Sequence, residues 1–275
     1  MEKKYNVDEN EKNENKIKTK INMLDISKYN IIPVNNDEDS NTIEDRKDNQ
    51  EVKEITFKII IIGDQSVGKS SIIKGLINEK EEFKNFYKAT LGFDIFNYKA
   101  KVNDIFIKLQ IWDTCGLKEF SSCTPNLYKN ASLAIIVYTI DNKATFDNAE
   151  NWLNLLKLHS KPGVLAFIVG NKKDLELENK REVLKEEGQK FMEDHDFNFF
   201  IETSAKDKLY IKDLFYQAFA QLYEYYLKDK KNCEEGEEEE EEENKIDFTK
   251  RKGTMKLGEK SKRKKHNNNQ CCNIY

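Results

Sequence analysis

The octapeptide GDQSVGKS, Gly63 to Ser70, constrains the fold more than any other stretch of this chain. It lies between a β-branched run, FKIIIIG (57–63), and a helical pattern marked by Ile72, Ile73, Leu76 and Ile77. In that setting G-x-x-x-x-G-K-[ST] is a phosphate-binding loop. Its glycines let the backbone bend so that successive N–H groups face an anion, with the positive end of the next helix behind them. Lys69 is placed to reach the outer phosphates of a nucleotide, and Ser70 to hold its Mg²⁺. The candidate phosphate-binding residues are Gly63, Asp64, Gln65, Ser66, Val67, Gly68, Lys69, Ser70 and Ser71. The loop by itself does not say which nucleotide it takes.

Two further runs repeat the form of a strand buried on both faces, ASLAIIVYTI (131–140) and GVLAFIVGNKKD (163–174). Helical patterns separate them: Trp152, Leu153, Leu155 and Leu156, and later Leu214, Phe215, Ala218, Phe219 and Leu222. The alternating runs LGFDIFNYKAKV and DIFIKLQIWD read as a hairpin. The expected fold is therefore α/β, a P-loop NTPase with a mostly parallel six-stranded sheet, one antiparallel edge strand and helices on both faces. In such folds ligands bind beyond the carboxyl ends of the strands.

Two motifs further along bear on the base. NKKD (171–174) ends one strand pattern, and ETSAK (202–206) follows another, FNFFI. A carboxylate accepts paired hydrogen bonds from N1 and N2 of guanine, whereas adenine offers no such pair. Asp174 suits that role.

In this order, the motifs resemble those of the Ras-like small GTPases, and among them the Rab family, over roughly residues 57–228 and again at the C-terminus. ATLGFDIF (89–96) resembles the first switch, which implies that Thr90 contacts Mg²⁺ and the γ-phosphate of GTP. KLQIWDTCG (108–116) resembles the strand entering the second switch, which implies that Asp113 lies near the metal and that the Gly116 N–H meets the γ-phosphate. The same resemblance makes Asn171, Lys172, Ser204, Ala205 and Lys206 base-binding residues alongside Asp174. It also makes Phe83 an aromatic packed on the guanine and Tyr87 a switch tyrosine covering the phosphates. Ser70, Thr90 and Asp113 are the expected metal ligands, and GTP or GDP with Mg²⁺ the expected cofactors. Lys69, Thr90, Gly116 and residue 117 form the expected catalytic set.

The chain departs from the family at that last position. The family motif is D-T-A-G-Q, and this sequence has Asp113-Thr114-Cys115-Gly116-Leu117. In Ras the glutamine orients the attacking water. Leucine has no donor or acceptor to do this, so intrinsic hydrolysis is expected to be slow unless a partner supplies the missing group. Gln65 stands where Ras has glycine, and Ile95 replaces the phenylalanine of a Rab aromatic cluster that includes Trp112 and Tyr128.

Composition bounds the rest. Only 38% of the 275 residues are hydrophobic and 35% are charged, and the apolar deficit sits at the ends. Residues 1–54 read as a mostly disordered extension, 55–228 as the GTPase domain, and 229–275 as a charged tail with a glutamate run (234–243) and a basic block (250–265). No stretch approaches the ~18 to 20 apolar residues of a membrane span, and no secretory signal opens the chain. The five cysteines give no disulfide framework and no metal-ligand spacing. The terminal CCNIY resembles a Rab prenylation site, which implies lipid on Cys271 and Cys272 and anchoring beside the basic block.

The resemblance implies a switch in vesicle traffic, peripheral on the cytosolic face of an endomembrane. It implies effectors, an exchange factor and a GTPase-activating protein that bind the two switch segments, besides a prenyltransferase and a lipid-extraction chaperone. A monomer is expected, without a nucleic-acid partner. Two rivals stand: a scaffold that holds GTP without turnover, and a nuclear-transport-like GTPase addressed by its basic tail.

Overall fold

The computed structural model describes residues 24–34, 53–78, 90, 92–116 and 125–251, with side chains described as far as residue 232. Contacts within the chain divide it into two compact units, 1–220 and 221–275.

Seven strands form one sheet in the order β1-β3-β4-β2-β5-β6-β7. They are β1 (Ile31–Val34), β2 (Glu54–Gly63), β3 (Phe93–Val102), β4 (Ile105–Thr114), β5 (Leu133–Thr139), β6 (Leu165–Asn171) and β7 (Phe199–Glu202). Strands β4, β2, β5, β6 and β7 run parallel, and β3 is antiparallel to both its neighbours. The hairpin between β3 and β4 turns at Asn103, whose φ of 51° is a conformation that asparagine tolerates.

The expected count of six strands is corrected to seven. The additional strand comes from the N-terminal segment that composition marked as mostly disordered. Residues 31–34 pair with Val102–Lys99 of β3, and the pairing is locked at its start, where the Asn103 N–H donates to the Asn30 carbonyl at 3.1 Å and the Asn30 N–H to Asn103 Oδ1 at 3.1 Å. Further back, Gln217 Nε2 donates to the Leu24 carbonyl at 2.7 Å. The paired run is itself apolar, Ile31-Ile32-Pro33-Val34, but its four residues are lost in a composition taken over the charged segment 1–54, and a free sheet edge accepts a strand that short.

The isoleucines Ile59 to Ile62 of β2 are fully buried, each contributing about 2 kcal/mol through removal from water. Alternation sends Ile60 and Ile62 to one face of the sheet, where they join Ile136, Trp152, Leu153 and Leu156. Helix α1 (Lys69–Ile77) lies against β2 and β4. The short helix α2 (Pro125–Tyr128) and helix α3 (Lys143–Asp147) precede α4 (Ala149–His159), which packs on β5 and β2, and α5 (Lys185–Asp194) packs on β6 and β7.

The last helix, α6, spans Ile211–Arg251 and crosses the division between the two units. It carries on past residue 228 through the glutamate run. No helix among the described residues is long and apolar enough to cross a membrane.

Candidate functional site

Because five strands run parallel, their carboxyl ends lie on one edge, and the loops that leave them carry the motifs. Strand β2 ends at Gly63, β4 at Thr114, β6 at Asn171 and β7 at Glu202.

The phosphate loop is held in a shape that only glycine permits at two points. Gly63 has φ +143°, and a Cβ there would lie 2.2 Å from the Val137 carbonyl oxygen. Gly68 has φ +96°, and a Cβ would lie 2.3 Å from Asn171 Nδ2. Lys69 crosses the loop, donating from Nζ to the carbonyls of Gly63 at 2.9 Å and Asp64 at 2.8 Å. Burial pushes its ammonium down to about 8, partly offset by the nearby Asp113 charge.

Ser70, at the start of α1, faces Thr90 and Asp113. The Ser70 hydroxyl donates to Asp113 Oδ2 at 2.5 Å and sits 3.0 Å from Thr90 Oγ1, which lies 3.4 Å from the same carboxylate oxygen. The other oxygen, Asp113 Oδ1, is buried and without a hydrogen-bond partner. Burial holds this carboxyl above the usual carboxylate range, opposed by the Ser70 hydrogen bond. Two hydroxyls and a carboxylate with an unsatisfied oxygen are a donor set that suits a small hard cation such as Mg²⁺. Strand β4 is fixed at this end by Thr114 Oγ1, which donates to the Ile61 carbonyl at 2.7 Å.

Gly116 presses against the phosphate loop: a Cβ there would come within 2.5 Å of both the Asp64 carbonyl oxygen and Lys69 Nζ. One residue earlier, the Cys115 N–H donates to the Gly92 carbonyl at 2.9 Å, which ties the segment after Thr90 to the one before Gly116.

Further along the same edge, Asn171 is the joint between loops. Its Nδ2 donates to the Val67 carbonyl at 2.8 Å, while its Oδ1 accepts from Thr203 Oγ1 and the Ala205 N–H, each at 3.2 Å. The Ser204 hydroxyl donates to Asp174 Oδ1 at 2.7 Å, and Lys206 Nζ lies 3.8 Å from Asp174 Oδ2. The carboxylate is thereby aimed by its neighbours. Lys172, with φ 63°, ion-pairs with Asp141 at 3.5 Å.

The structure thus brings together Gly63, Asp64, Val67, Gly68, Lys69, Ser70, Thr90, Asp113 and Gly116 in one cluster around the GDQSVGKS loop, and Asn171, Asp174, Ser204, Ala205 and Lys206 in a second. Gln65, Ser66 and Ser71 lie in or directly after the phosphate loop, with Ser66 at φ 62°. Phe83, Tyr87, Leu117, Cys271 and Cys272 fall outside the described residues.

Two sets of supporting residues escaped the sequence reading. Glu202, almost completely buried, accepts from Arg181 Nη1 at 2.6 Å, Arg181 Nη2 at 2.8 Å and Lys173 Nζ at 3.1 Å. Arg181 Nε also donates to Glu176 at 3.0 Å. This ion cluster binds the loop bearing Asp174 to the loop bearing Ser204. The second set, Asn148 and Trp152, grips Asp64. Trp152 was visible only as a core residue of a helix, and nothing local marks Arg181.

The model of the Ras family matches residues 58–224. The Arabidopsis thaliana proteins "Ras-related protein RABF2a" and "Ras-related protein RABA5e" are 36% and 38% identical to this chain over 170 and 176 residues. These stretches cover 62% and 64% of the chain, and 82% and 78% of the two relatives. "Ras-related protein Rab-13" of Mesocricetus auratus is 37% identical over 159 residues, which are 58% of this chain and 76% of the relative. A match of that extent, with relatives that carry Rab names, makes the chain a member of the Ras family, a Rab-like small GTPase.

Proposed function

We propose that the chain is a guanine-nucleotide switch of membrane traffic whose GTP state is long-lived. The observation that carries the reading is the convergence of Ser70, Thr90 and Asp113 beside Lys69 and Gly116. It puts a cation-suited oxygen set, an ammonium and a close-approaching glycine at one end of a loop built for phosphates. Ser70, Thr90 and Asp113 would hold Mg²⁺, which supplies charge neutralisation for the β- and γ-phosphates. Lys69 neutralises the same oxygens, the backbone N–H of Gly116 senses the last phosphate, and Asp174 with Asn171, Lys172, Ser204, Ala205 and Lys206 selects guanine. Phe83 and Tyr87 complete the pocket by resemblance to the family.

The segments around Thr90 and Gly116 are ordered by the γ-phosphate and released without it. They are the surface for effectors, an exchange factor and an activating protein. The tail brings the switch to an endomembrane through lipid on Cys271 and Cys272, handled by a prenyltransferase and an extraction chaperone. The relatives' Rab names support this placement.

Leu117 favours slow turnover, because no side-chain group at that position can orient water. Single-turnover hydrolysis of pre-bound GTP, side by side with Leu117→Gln, tests it. The wild type is expected to be about tenfold slower or more, with Leu117→Gln restoring rate. Equal rates would refute the long-lived state and turn attention to Gln65. Retention of GTP with no phosphate release at all would favour the scaffold reading.

A further inference from the structure

We propose that Trp152 and Asn148 are positioning residues for nucleotide retention: by gripping the Asp64 carboxylate they pin the phosphate loop to helix α4. The inference rests on the guanine-nucleotide reading of that loop.

Asp64 is the hinge of the loop. Its carbonyl oxygen accepts from Lys69 Nζ at 2.8 Å and is in close contact with Gly116. Its side chain points the other way, and Oδ1 accepts from Trp152 Nε1 at 2.8 Å and from Asn148 Nδ2. Trp152 and Asn148 are both buried. An indole N–H has no role but to donate, and a buried one needs an acceptor. The Asn148 amide has one workable orientation: turned over, it would aim its oxygen at the acceptor-only Asp64 carboxylate, whereas as placed its Oδ1 accepts from Asn151 Nδ2 at 2.7 Å. Nδ2 is therefore directed at Asp64.

Asn148 joins α3 to α4, as the C-cap of the one and the N-cap of the other, so both donors to Asp64 stand on the first part of α4. Helix α4 packs on β5 and β2, which makes it a rigid anchor for the loop that follows β2.

The grip acts in two ways. It fixes the backbone at Asp64, and with it the direction of the loop's N–H groups, so fewer conformations have to be lost when phosphates bind. It also parks a negative charge on the α4 side. Released, the carboxylate is free to swing towards Lys69 and compete for the ammonium that the phosphates need.

The test is the release rate of a fluorescent GDP analogue from the full-length protein, chased with excess GDP in the presence of Mg²⁺. Trp152→Phe keeps most of the ring's packing and removes the donor. It is expected to speed release about tenfold, the loss of one hydrogen bond to a charged acceptor. Asp64→Ala should release comparably fast, and Trp152→Phe added to it should change nothing further. Asp64→Asn, which keeps an acceptor for the indole, should fall closer to wild type. A purely structural tryptophan would instead accelerate release by the same factor in both backgrounds. That additivity, or an unchanged rate in Trp152→Phe, overturns the proposal. If Trp152→Phe does not fold, Asn148→Ala in the wild-type and Asp64→Ala backgrounds gives the same cycle. Failure of the wild type to bind guanine nucleotide would overturn the guanine reading together with the proposal, whereas tight binding with additive effects overturns the proposal alone.

Discussion

Arg181→Met should destabilise the nucleotide-bound protein strongly, although Arg181 lies outside every nucleotide motif. Its guanidinium makes two bonds to Glu202, at 2.6 and 2.8 Å, one to Glu176 at 3.0 Å and one to the Val183 carbonyl at 2.9 Å. The Glu202 side chain is 2% exposed. Removing one partner of a buried ion pair costs about 3–5 kcal/mol, because the other charge stays behind in a poor solvent. Lys173 still reaches Glu202 at 3.1 Å, so the low end applies, about 3 kcal/mol. For a domain of this size each kcal/mol moves Tm by roughly 2–4 °C, which gives a fall of about 6–12 °C. Thermal and urea unfolding of the GDP-saturated protein measure it. Adding Glu202→Gln to Arg181→Met removes the stranded charge and should recover part of the loss. A shift under about 2 °C, or a double variant worse than the single, would refute the reasoning. The acid limb gives an independent check. The Arg181 hydrogen bond holds the Glu176 carboxyl below its ordinary 4.5. A carboxyl depressed on folding contributes stability that is present above its unfolded value and is lost as pH falls through the folded one. The gap between wild type and Arg181→Met should therefore narrow as pH drops below 4.5.

Gly116→Ala forces a methyl group to within 2.5 Å of a backbone carbonyl and the Lys69 ammonium, neither of which can yield without disturbing the phosphate loop. Its GTP affinity should fall by about tenfold or more in nucleotide competition, and an unchanged affinity would show that the contact relaxes harmlessly. Asp174→Ala, which leaves the Ser204 hydroxyl without its acceptor, should weaken GTP binding on the order of 100-fold while ATP gains nothing; a variant that still prefers GTP to the same degree would move base selection elsewhere. Starting the chain at residue 35 removes β1 and should expose the alternate amides along the β3 edge that face it, those of Lys99, Lys101 and Asn103, to hydrogen exchange without loss of GDP binding. Unchanged protection there would mean that the β1 pairing is not maintained in solution.

The sequence alone was enough to give the α/β fold and to set the motifs GDQSVGKS, NKKD and ETSAK at the ends of its strands. Each of these depends on residues a few positions apart: glycines where the backbone must pass close to another group, a lysine and a hydroxyl at the start of a helix, and apolar runs of strand length. The leucine at 117 is also known from the sequence, and its consequence follows from side-chain chemistry. Only the tertiary structure decided what surrounds the motifs. The packing of strands, helices and loops brings Asn171 to Val67 across 104 residues and Trp152 to Asp64 across 88, and it joins Arg181 to the buried Glu202. It also recruits residues 31–34 to the free edge of β3; that run is apolar, but too short to stand out from the charged segment around it, and only the edge it pairs with makes it a strand. Local chemistry is written in short spacings, whereas the support for that chemistry comes from partners that only the parallel sheet aligns.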